Sequence, residues 1–161
     1  MKFHNKNVSD IDLRDFYELN LVDVINSFHC FEHLHQSPKK VLDSAIAVLK
    51  PGGYIIIEVP NSLNLIKRIK VLFGYTNYIP YTHYFNAELF TGHVREYSVG
   101  DLLELSRETS MSGARVYGRN YFGTLYTRFG YNALTKFFDW ILRRRAGLCG
   151  SLYLVWSKPI P

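Results

Sequence analysis

The chain has 161 residues, of which 47% are hydrophobic and 20% are charged, and it carries a formal net charge of +5. This length and composition fit one globular domain and exclude an intrinsically disordered chain. The cysteines, Cys30 and Cys149, lie far apart without metal-ligand spacing, which excludes a disulfide scaffold and favours a reducing compartment.

The N-terminal segment, residues 1–20, is short and polar, and it lacks the apolar core of a signal peptide. The sequence VSDIDLRDF is typical of a strand end at Val8 followed by an acidic loop that contains Asp10 and Asp12. No glycine occurs before Gly52. A glycine-rich loop that lets backbone approach a phosphate or cofactor is therefore absent from this part of the sequence.

The clearest pattern is a strand, a helix and a second strand within about forty residues, a length typical of such a unit. Leu21–Phe28 is short and rich in β-branched residues, which predicts the first strand. Apolar residues recur at three- and four-residue spacing over Ser37–Lys50, which predicts an amphipathic helix that Pro51-Gly52-Gly53 ends. Tyr54–Val59 is almost wholly apolar, which predicts a parallel strand covered on both faces. The sequence thus predicts a right-handed βαβ unit.

Residues 62–93 read as an insertion. Leu63–Phe73 alternates apolar and basic residues, which predicts a basic amphipathic helix. Gly74–Phe90 is rich in tyrosine and reads as an irregular lid, whose aromatics would either stack on a ligand or pack the lid onto the core.

The last third predicts two further strands with helices between them. Ser98 and Asp101 form a pattern like a capping box, and Gly113 would stop the helix that follows it. ARVYG at 114–118 and SLYLVW at 151–156 predict strands, and Tyr121–Arg145 predicts a helix. The apolar run 148–156 is far shorter than the ~20 residues that span a bilayer, and we expect a cytoplasmic protein.

The positive charge is concentrated after Thr109. This part of the sequence contains one acidic residue, Asp139, and eight basic residues: Arg115, Arg119, Arg128, Lys136, Arg143, Arg144, Arg145 and Lys158. This basic C-terminal third could meet an anionic surface. It could equally be a solvated basic face, with the arginines at 143–145 complementing a helix dipole.

The motif DVINSFHCFEHL…VLKPGGYIIIEVPN resembles the centre of a class I S-adenosylmethionine-dependent methyltransferase. The resemblance implies an α/β fold with a Rossmann-like methyltransferase sheet. The region of strands 4-5-7-6 would be present, with parallel strands and a C-terminal antiparallel hairpin, and the N-terminal half would be incomplete. Residues 1–161 would form a single partial methyltransferase domain in which 62–97 is the acceptor insertion.

The same resemblance implies a cofactor site for S-adenosylmethionine, provided that the missing N-terminal half is supplied. Asp10 and Ile11 would contact the adenine. Asp12 could take the role of Asp10 instead, or the segment could be an acidic loop without a cofactor role. Ser27, Phe28 and His29, at the end of the first strand, would border the methionine end.

The same resemblance implies which residues would be catalytic and which would bind the acceptor. His33 or His93 would be the general base, because neutral imidazole can take a hydroxyl proton near pH 7. Glu32, Asn61 and Tyr84 would line the acceptor site. Some relatives hold a divalent ion in such a cluster, whose ligands here would be His29, Glu32, His33 and His93. Because Glu-His-Leu also occurs in relatives without a metal, we expect none.

Two functions of different class follow. The first is methyl transfer to a small-molecule, glycan or nucleic-acid acceptor. The second is a non-catalytic methyltransferase-like module, because a half-fold leaves the first strand as an unpaired edge. A second copy or a complementary chain would then cover that edge.

Overall fold

The computed structural model of the protein describes residue 8 and residues 10–88, 90–120 and 133–161. Strands lie at Val22–Phe28 (β1), Leu49–Pro60 (β2), Ser112–Arg119 (β3) and Ser151–Ser157 (β4). Helices lie at Lys39–Val48 (α1), Leu65–Leu72 (α2), Tyr81–Phe85 (α3), Val99–Arg107 (α4) and Ala133–Leu142 (α5). Short 3-10 helices lie at Leu13–Asp15, Phe31–His33 and Ala146–Leu148.

The strands form one sheet in the order β1-β2-β4-β3. β1 and β2 run parallel, with Ile25 opposite Ile55 and Phe28 opposite Glu58. β4 runs antiparallel to both β2 and β3. The predicted fold is thereby confirmed: a mixed α/β sheet with a parallel pair joined by a crossover helix and an antiparallel C-terminal pair.

The crossover helix is shorter than the predicted Ser37–Lys50. Pro38 is its N-cap residue, and Ser37 Oγ accepts a hydrogen bond from Lys39 N at 3.3 Å. The helix ends at Val48 because Leu49 already has extended backbone angles and begins β2, which is longer than the predicted Tyr54–Val59. Lys50 lies in the strand and pairs with Asp23 of β1, 2.7 Å away, instead of complementing a helix dipole.

The core lies on one face of the sheet. Ile55, Ile57 and Val59 of β2 are at most 1% exposed, and they share a single core cluster with buried residues of α1, α4 and β4. On the opposite face Tyr54 is 50% exposed and Phe28 is 53% exposed. This face of the strand is covered only in part, since Ile56 is half-buried and Glu58 is 1% exposed. The prediction that Tyr54–Val59 is covered on both faces therefore fails at Tyr54, because α1 and α4 contribute their buried residues to the core side.

β1 is an edge strand of the described sheet, since β2 is its one partner there. Only Val22, Ile25 and Ser27 of the strand are partly buried, and its other residues are exposed. Two parallel strands were predicted, and they are present, with β1 at the edge of the described sheet.

The insertion is more regular than predicted. The amphipathic helix is α2, capped by Asn64, whose side chain accepts from Lys67 N at 3.0 Å. The lid expected to be irregular contains α3. No residue of either helix is buried. Among the helices of the described ranges, none has the length and apolar character that crossing a membrane requires.

The C-terminal elements differ from prediction at their ends. α4 stops at Arg107, and Gly113, expected to end it, instead lies in β3 with a φ of +65°, where the strand register shifts. The expected helix Tyr121–Arg145 falls partly outside the described residues. Its described part, α5, ends at Leu142.

We predict that Gly53→Ala destabilises the protein. A Cβ at Gly53 would lie 2.8 Å from the Asp23 carbonyl oxygen of β1 and 2.9 Å from that of Lys50. Backbone atoms cannot move aside cheaply, so we expect the free energy of unfolding in urea to fall by roughly 1–3 kcal/mol. The control is Gly100→Ala in α4, where a Cβ meets its nearest atom at 3.6 Å. Stability there should hold or rise by up to about 1 kcal/mol. Equal effects would contradict the prediction.

We also predict that the capping box of α4 makes stability depend on pH. Ser98 Oγ accepts from Asp101 N at 3.1 Å, and Ser98 N donates to the Asp101 carboxylate at 2.7 Å. Burial raises the pKa of Asp101, but hydrogen bonds from Ser98 and Arg95 outweigh it and lower that pKa overall.

A lowered folded-state pKa contributes stability above the unfolded value of about 3.9, and this contribution is lost as the pH falls through the folded value. In urea titrations, the stability advantage of the wild type over Asp101→Asn should therefore be largest above about pH 5 and shrink below pH 4. Ser98→Ala should lower stability by about 1 kcal/mol, whereas Ser110→Ala, at an exposed position, should not. An advantage that is constant with pH would refute this account.

Candidate functional site

The candidate site lies where the two parallel strands end together. Phe28, the last residue of β1, is opposite Glu58 near the end of β2. Ligands of open α/β sheets bind at the carboxyl ends of the strands, so this edge is where a site is expected. His29 follows with a φ of +48°, a left-handed conformation that turns the chain into the 3-10 helix Phe31–His33.

His29 bridges two buried carboxylates. Its Nδ1 lies 3.3 Å from Glu32 Oε1, and its Nε2 lies 3.3 Å from Glu58 Oε2. Its backbone N–H also donates to Glu58 Oε2 at 3.2 Å. Glu32 is 0% exposed and Glu58 is 1% exposed. A buried carboxylate requires such partners, and the left-handed turn is the geometry that lets one imidazole reach both.

Backbone hydrogen bonds hold the segment that follows His93 at this edge of the sheet. The Glu32 carbonyl accepts from Val94 N at 2.7 Å and from Arg95 N at 3.3 Å. These hydrogen bonds place His93 against His33, with ring centroids 5.0 Å apart and the rings 74° from parallel.

Each of the two rings faces an acceptor through its Nδ1 atom. His93 Nδ1 lies 3.1 Å from Glu96 Oε1, and His33 Nδ1 lies 3.3 Å from the Gly92 carbonyl oxygen. A carboxylate or carbonyl can only accept, so we assign the Nδ1–H tautomer to each ring, which leaves the lone pair on Nε2. Glu96 is itself oriented by an ion pair with Lys67.

Glu32, His33 and His93 form a cluster in which one ligand atom of each residue lies within 4.8 Å of the others. Glu32 Oε2 is buried without a hydrogen-bond partner among the described residues, as is Glu58 Oε1. His29, the fourth residue that the sequence allowed as a metal ligand, contacts the carboxylates instead of completing this group.

A cavity of about 660 Å³ adjoins the cluster. It is lined by residues 74–79 of the insertion, by residues 93–96, and by Ser62 and Val71. This volume lies within the range of about 300–1,000 Å³ typical of small-molecule sites. His93 and Glu96 are therefore both part of the polar cluster and part of the cavity wall.

Two predicted acceptor residues lie apart from this wall. Asn61 is fully buried, and its side chain bonds to backbone: Nδ2 donates to the Cys149 carbonyl at 2.7 Å and the Gly147 carbonyl at 3.0 Å, and Oδ1 accepts from Leu63 N at 2.9 Å. Tyr84 on α3 is 59% exposed and packs edge-on against Phe90. Contact of either residue with an acceptor stays a prediction.

The predicted adenine-binding residues lie in the loop before β1. Asp12 accepts from Arg14 N at 3.0 Å and from Arg14 Nε at 2.8 Å, and these hydrogen bonds lower the pKa of Asp12 to about 2. Its carboxylate is thus engaged within the loop. Asp10 is exposed and Ile11 is half-buried, and their contact with a cofactor stays a prediction.

Two of the three consecutive arginines in the basic C-terminal third, Arg143 and Arg144, contact other side chains of the protein. Arg143 pairs with the buried Asp139 at 2.7 Å, and the Arg144 guanidinium lies 3.4 Å from the Trp140 ring centre. These are side-chain contacts, and the last turn of α5 contains no basic residue. Complementarity to the helix dipole and binding of an anionic surface both stay predictions.

Sequence reasoning missed Glu58, Glu96 and Lys67. The signal for Glu58 was a single acid in the otherwise apolar run Tyr54–Val59. The signal for Glu96 was its position three residues after His93. Lys67 carries no local signal, because it meets Glu96 only through the packing of α2.

Residues 3–109 match the model of a protein family described as a methyltransferase domain. No curated protein matched the sequence.

Among solved structures, S-adenosylmethionine-dependent methyltransferases share this fold. One from Thermotoga maritima aligns with a TM-score of 0.59 at 13% identity, covering 94% of this chain and 61% of its own. One from Archaeoglobus fulgidus aligns with a TM-score of 0.55 at 15% identity, covering 97% and 66%. A methyltransferase from Haloferax volcanii, solved with the Trm112 activator, aligns with a TM-score of 0.55 at 16% identity, covering 96% and 60%.

The chain therefore spans 60% to 66% of the length of these three structures. Identities of 13% to 16% establish the shared fold alone. The family match covers more than half of the chain. Together with the β1-β2-β4-β3 sheet, it shows that the chain belongs to the class I S-adenosylmethionine-dependent methyltransferase family.

Proposed function

We propose that the protein transfers the methyl group of S-adenosylmethionine to a small acceptor, with His93 as the general base. The observation that carries this proposal is the position of His93. The residue borders the cavity of about 660 Å³, and its Nδ1 is held by Glu96.

Methyl transfer requires mainly that the protein position the two reactants. The acceptor atom attacks the sulfonium methyl in line, the sulfur–carbon bond breaks, and S-adenosylhomocysteine leaves. Holding both reactants in one geometry supplies much of the rate. When the acceptor is a hydroxyl, its proton must leave, and the Nε2 lone pair of His93 can take it. Glu96 then steadies the imidazolium that forms.

The cofactor would lie over the end of β1. In this proposal Ser27, Phe28 and His29 border its methionine end, and Asp10 with Ile11 meets the adenine. Support comes from the general rule that open α/β sheets bind ligands at this edge, and from the contacts of His29 with Glu58 and Glu32, which place it there.

The acceptor would enter through the insertion 62–97. Tyr75 and Tyr78 border the cavity and are 68% and 89% exposed. Exposed aromatic rings suit the stacking of a planar ring or a sugar face. Glu32 and His33, in the turn after β1, lie beside His93 of this segment, and in this proposal they contact the group that is methylated. A small molecule, or the terminal unit of a glycan or nucleic acid, fits this cavity.

A second function is favoured by the unpaired outer side of β1 and by exposed aromatic residues on one face of the sheet. β1 lacks a partner on its outer side within the described sheet, and Phe28 and Tyr54 are exposed on the face away from α1 and α4. Exposed edges and apolar faces are normally covered. The alternative is therefore a non-catalytic module, or one component of an assembly, that is covered by a second copy or a complementary chain.

We predict that S-adenosylhomocysteine binds the purified protein with a micromolar dissociation constant in a calorimetric titration. Asp10→Asn should weaken this binding by roughly tenfold or more, because it removes a charged hydrogen-bond acceptor. Asp12→Asn is the matched control and should bind like the wild type, since Arg14 occupies that carboxylate. No heat with the wild type would favour the non-catalytic module, and light scattering would then report whether the protein self-associates.

We further predict that His93→Gln lowers kcat by about 10²–10⁴-fold, the usual worth of a general base. The substrate is the best acceptor found by screening phenols, sugars and nucleosides with labelled S-adenosylmethionine. His83→Gln, at an exposed position on α3, is the control and should keep the wild-type rate. An unchanged rate for His93→Gln would rule out His93 as the base.

A further inference from the structure

We propose that α5 and α2 bind the surface of a lipid bilayer that contains anionic phospholipid. The inference rests on the exposed apolar and basic side chains of these two helices, and it does not depend on the proposed methyl transfer. Each helix would lie along the interface, with its apolar side chains among the acyl chains and its basic side chains at the headgroups.

The side chains of α5 are arranged opposite to those of an ordinary surface helix. Phe137, Trp140 and Ile141 have the i, i+3, i+4 spacing of one helical stripe, and they are between 41% and 54% exposed. The rings of Phe137 and Trp140 stack, with centroids 6.2 Å apart. The one acidic residue of the helix, Asp139, is instead 4% exposed. A helix packed on a soluble core normally has its apolar stripe inside and its charges outside. The outward stripe of α5 therefore indicates an apolar partner.

Polar contacts of Asp139 determine which side of α5 faces the protein. Asp139 Oδ1 accepts a hydrogen bond from Asn120 Nδ2 at 3.0 Å, and Asp139 Oδ2 pairs with Arg143 at 2.7 Å. A buried carboxylate requires such partners. Because these contacts hold Asp139 on the inner side of the helix, the stripe with Trp140 faces outward.

Basic residues border the exposed stripe of α5. The Arg144 guanidinium lies 3.4 Å from the Trp140 ring centre, and Arg145 is exposed next to it in sequence. The acid of α5 is buried and paired with Arg143, so no carboxylate of this helix faces an approaching anion. An aromatic stripe bordered by arginines is typical of helices that bind anionic bilayers.

α2 presents a second surface of the same chemistry. The helix has no buried residue, and Arg68 and Lys70 on it are exposed. Residues 62–87, which include α2, contain no acidic residue. Exposed apolar residues recur through the helix and its C-cap at spacings of three or four residues: Leu65, Ile66, Ile69, Leu72 and Phe73.

The two helices adjoin the same short segment. The chain that leaves α5 forms the 3-10 helix Ala146–Leu148. The Gly147 carbonyl oxygen of this segment accepts from Arg68 Nη2 of α2 at 3.3 Å and from Asn61 Nδ2 at 3.0 Å. The start of α2 is thereby held beside the end of α5, which allows both helices to contact one bilayer.

The aliphatic side chains favour a bilayer over nucleic acid. Arginine and lysine bind the phosphate groups of either partner. Single-stranded nucleic acid is bound by aromatic rings that stack on bases, a contact that Phe137 and Trp140 could make. Ile66, Ile69 and Leu72 cannot stack in this way, whereas they gain free energy when they leave water for acyl chains.

The test measures binding of the protein to vesicles by sedimentation and by tryptophan fluorescence. The chain has two tryptophans, Trp140, which is exposed, and Trp156, which is buried in the core. A blue shift of the emission on addition of vesicles therefore reports Trp140, and Trp140→Phe should abolish that shift.

We expect binding to depend on the charge of the lipid. Vesicles with about 30% phosphatidylglycerol should sediment the protein and shift the emission, and vesicles of phosphatidylcholine alone should bind it roughly tenfold more weakly. Binding to the anionic vesicles should weaken by roughly tenfold between about 50 mM and about 500 mM sodium chloride, because salt screens the charges.

Charge variants decide whether the named arginines make the contact. Arg144→Glu and Arg145→Glu should each weaken binding to anionic vesicles by roughly fivefold or more. Arg107→Glu, at an exposed position of α4, makes the same change in net charge and should bind like the wild type.

Apolar variants test the insertion into the bilayer. Phe137→Gln in α5 and Ile69→Gln in α2 should each weaken binding by roughly fivefold or more, because less apolar surface leaves water. Leu19→Gln removes an exposed leucine outside both helices and should bind like the wild type. Circular dichroism and thermal unfolding confirm that each variant is folded.

Several results would overturn the proposal. One is that anionic vesicles neither sediment the protein nor shift its emission, and another is that Arg107→Glu weakens binding as much as Arg144→Glu does. A shift with a single-stranded oligonucleotide but not with vesicles would assign the surface to nucleic acid. A dimer in light scattering that Phe137→Gln dissociates and that vesicles do not bind would assign it to a second copy. None of these readouts involves methyl transfer, so the proposed function is tested separately.

Discussion

The parallel pairing of β1 and β2 is the constraint on which the site depends. Because the strands run in the same direction, their carboxyl ends meet, and Phe28 lies opposite Glu58. The residue after Phe28 is then within reach of the Glu58 side chain, and the turn that follows delivers Glu32 to the same place. An antiparallel arrangement would put the ends of these strands on opposite sides of the sheet, so the buried carboxylates could not share one imidazole.

Local sequence signals were sufficient for the fold. The helical spacing over residues 37–50, the apolar run after it and the two C-terminal strand patterns were each strong enough to predict type and order. Boundaries were less certain because they depend on tertiary contacts. Lys50 looked like the last residue of a helix, but Leu49 before it is fully buried and already pairs with Val22 of β1, so Lys50 lies in a strand. The exposure of Tyr54 was missed for a related reason: apolar composition does not tell which face of a strand the helices cover.

The candidate site was predicted less completely, and the reason is geometric. Spacing along the chain placed His29, Glu32 and His33 near one another, as a helical turn does. Spacing could not show that the left-handed backbone of His29 turns its ring between Glu32 and Glu58, nor that Glu96 contacts His93. Residues such as Lys67 join the site only through the packing of separate segments, which no local pattern records.

The left-handed His29 has a consequence for how this edge could evolve or be engineered. A residue with a side chain pays a conformational penalty of roughly 1–2 kcal/mol in this region, which glycine avoids. Replacing His29 by glycine would relax the turn. It would also remove the ring that contacts the buried carboxyl groups of both Glu32 and Glu58. The amino acid that best suits the backbone here therefore differs from the one that best suits the two carboxyl groups, and relaxing the turn would conflict with keeping the site.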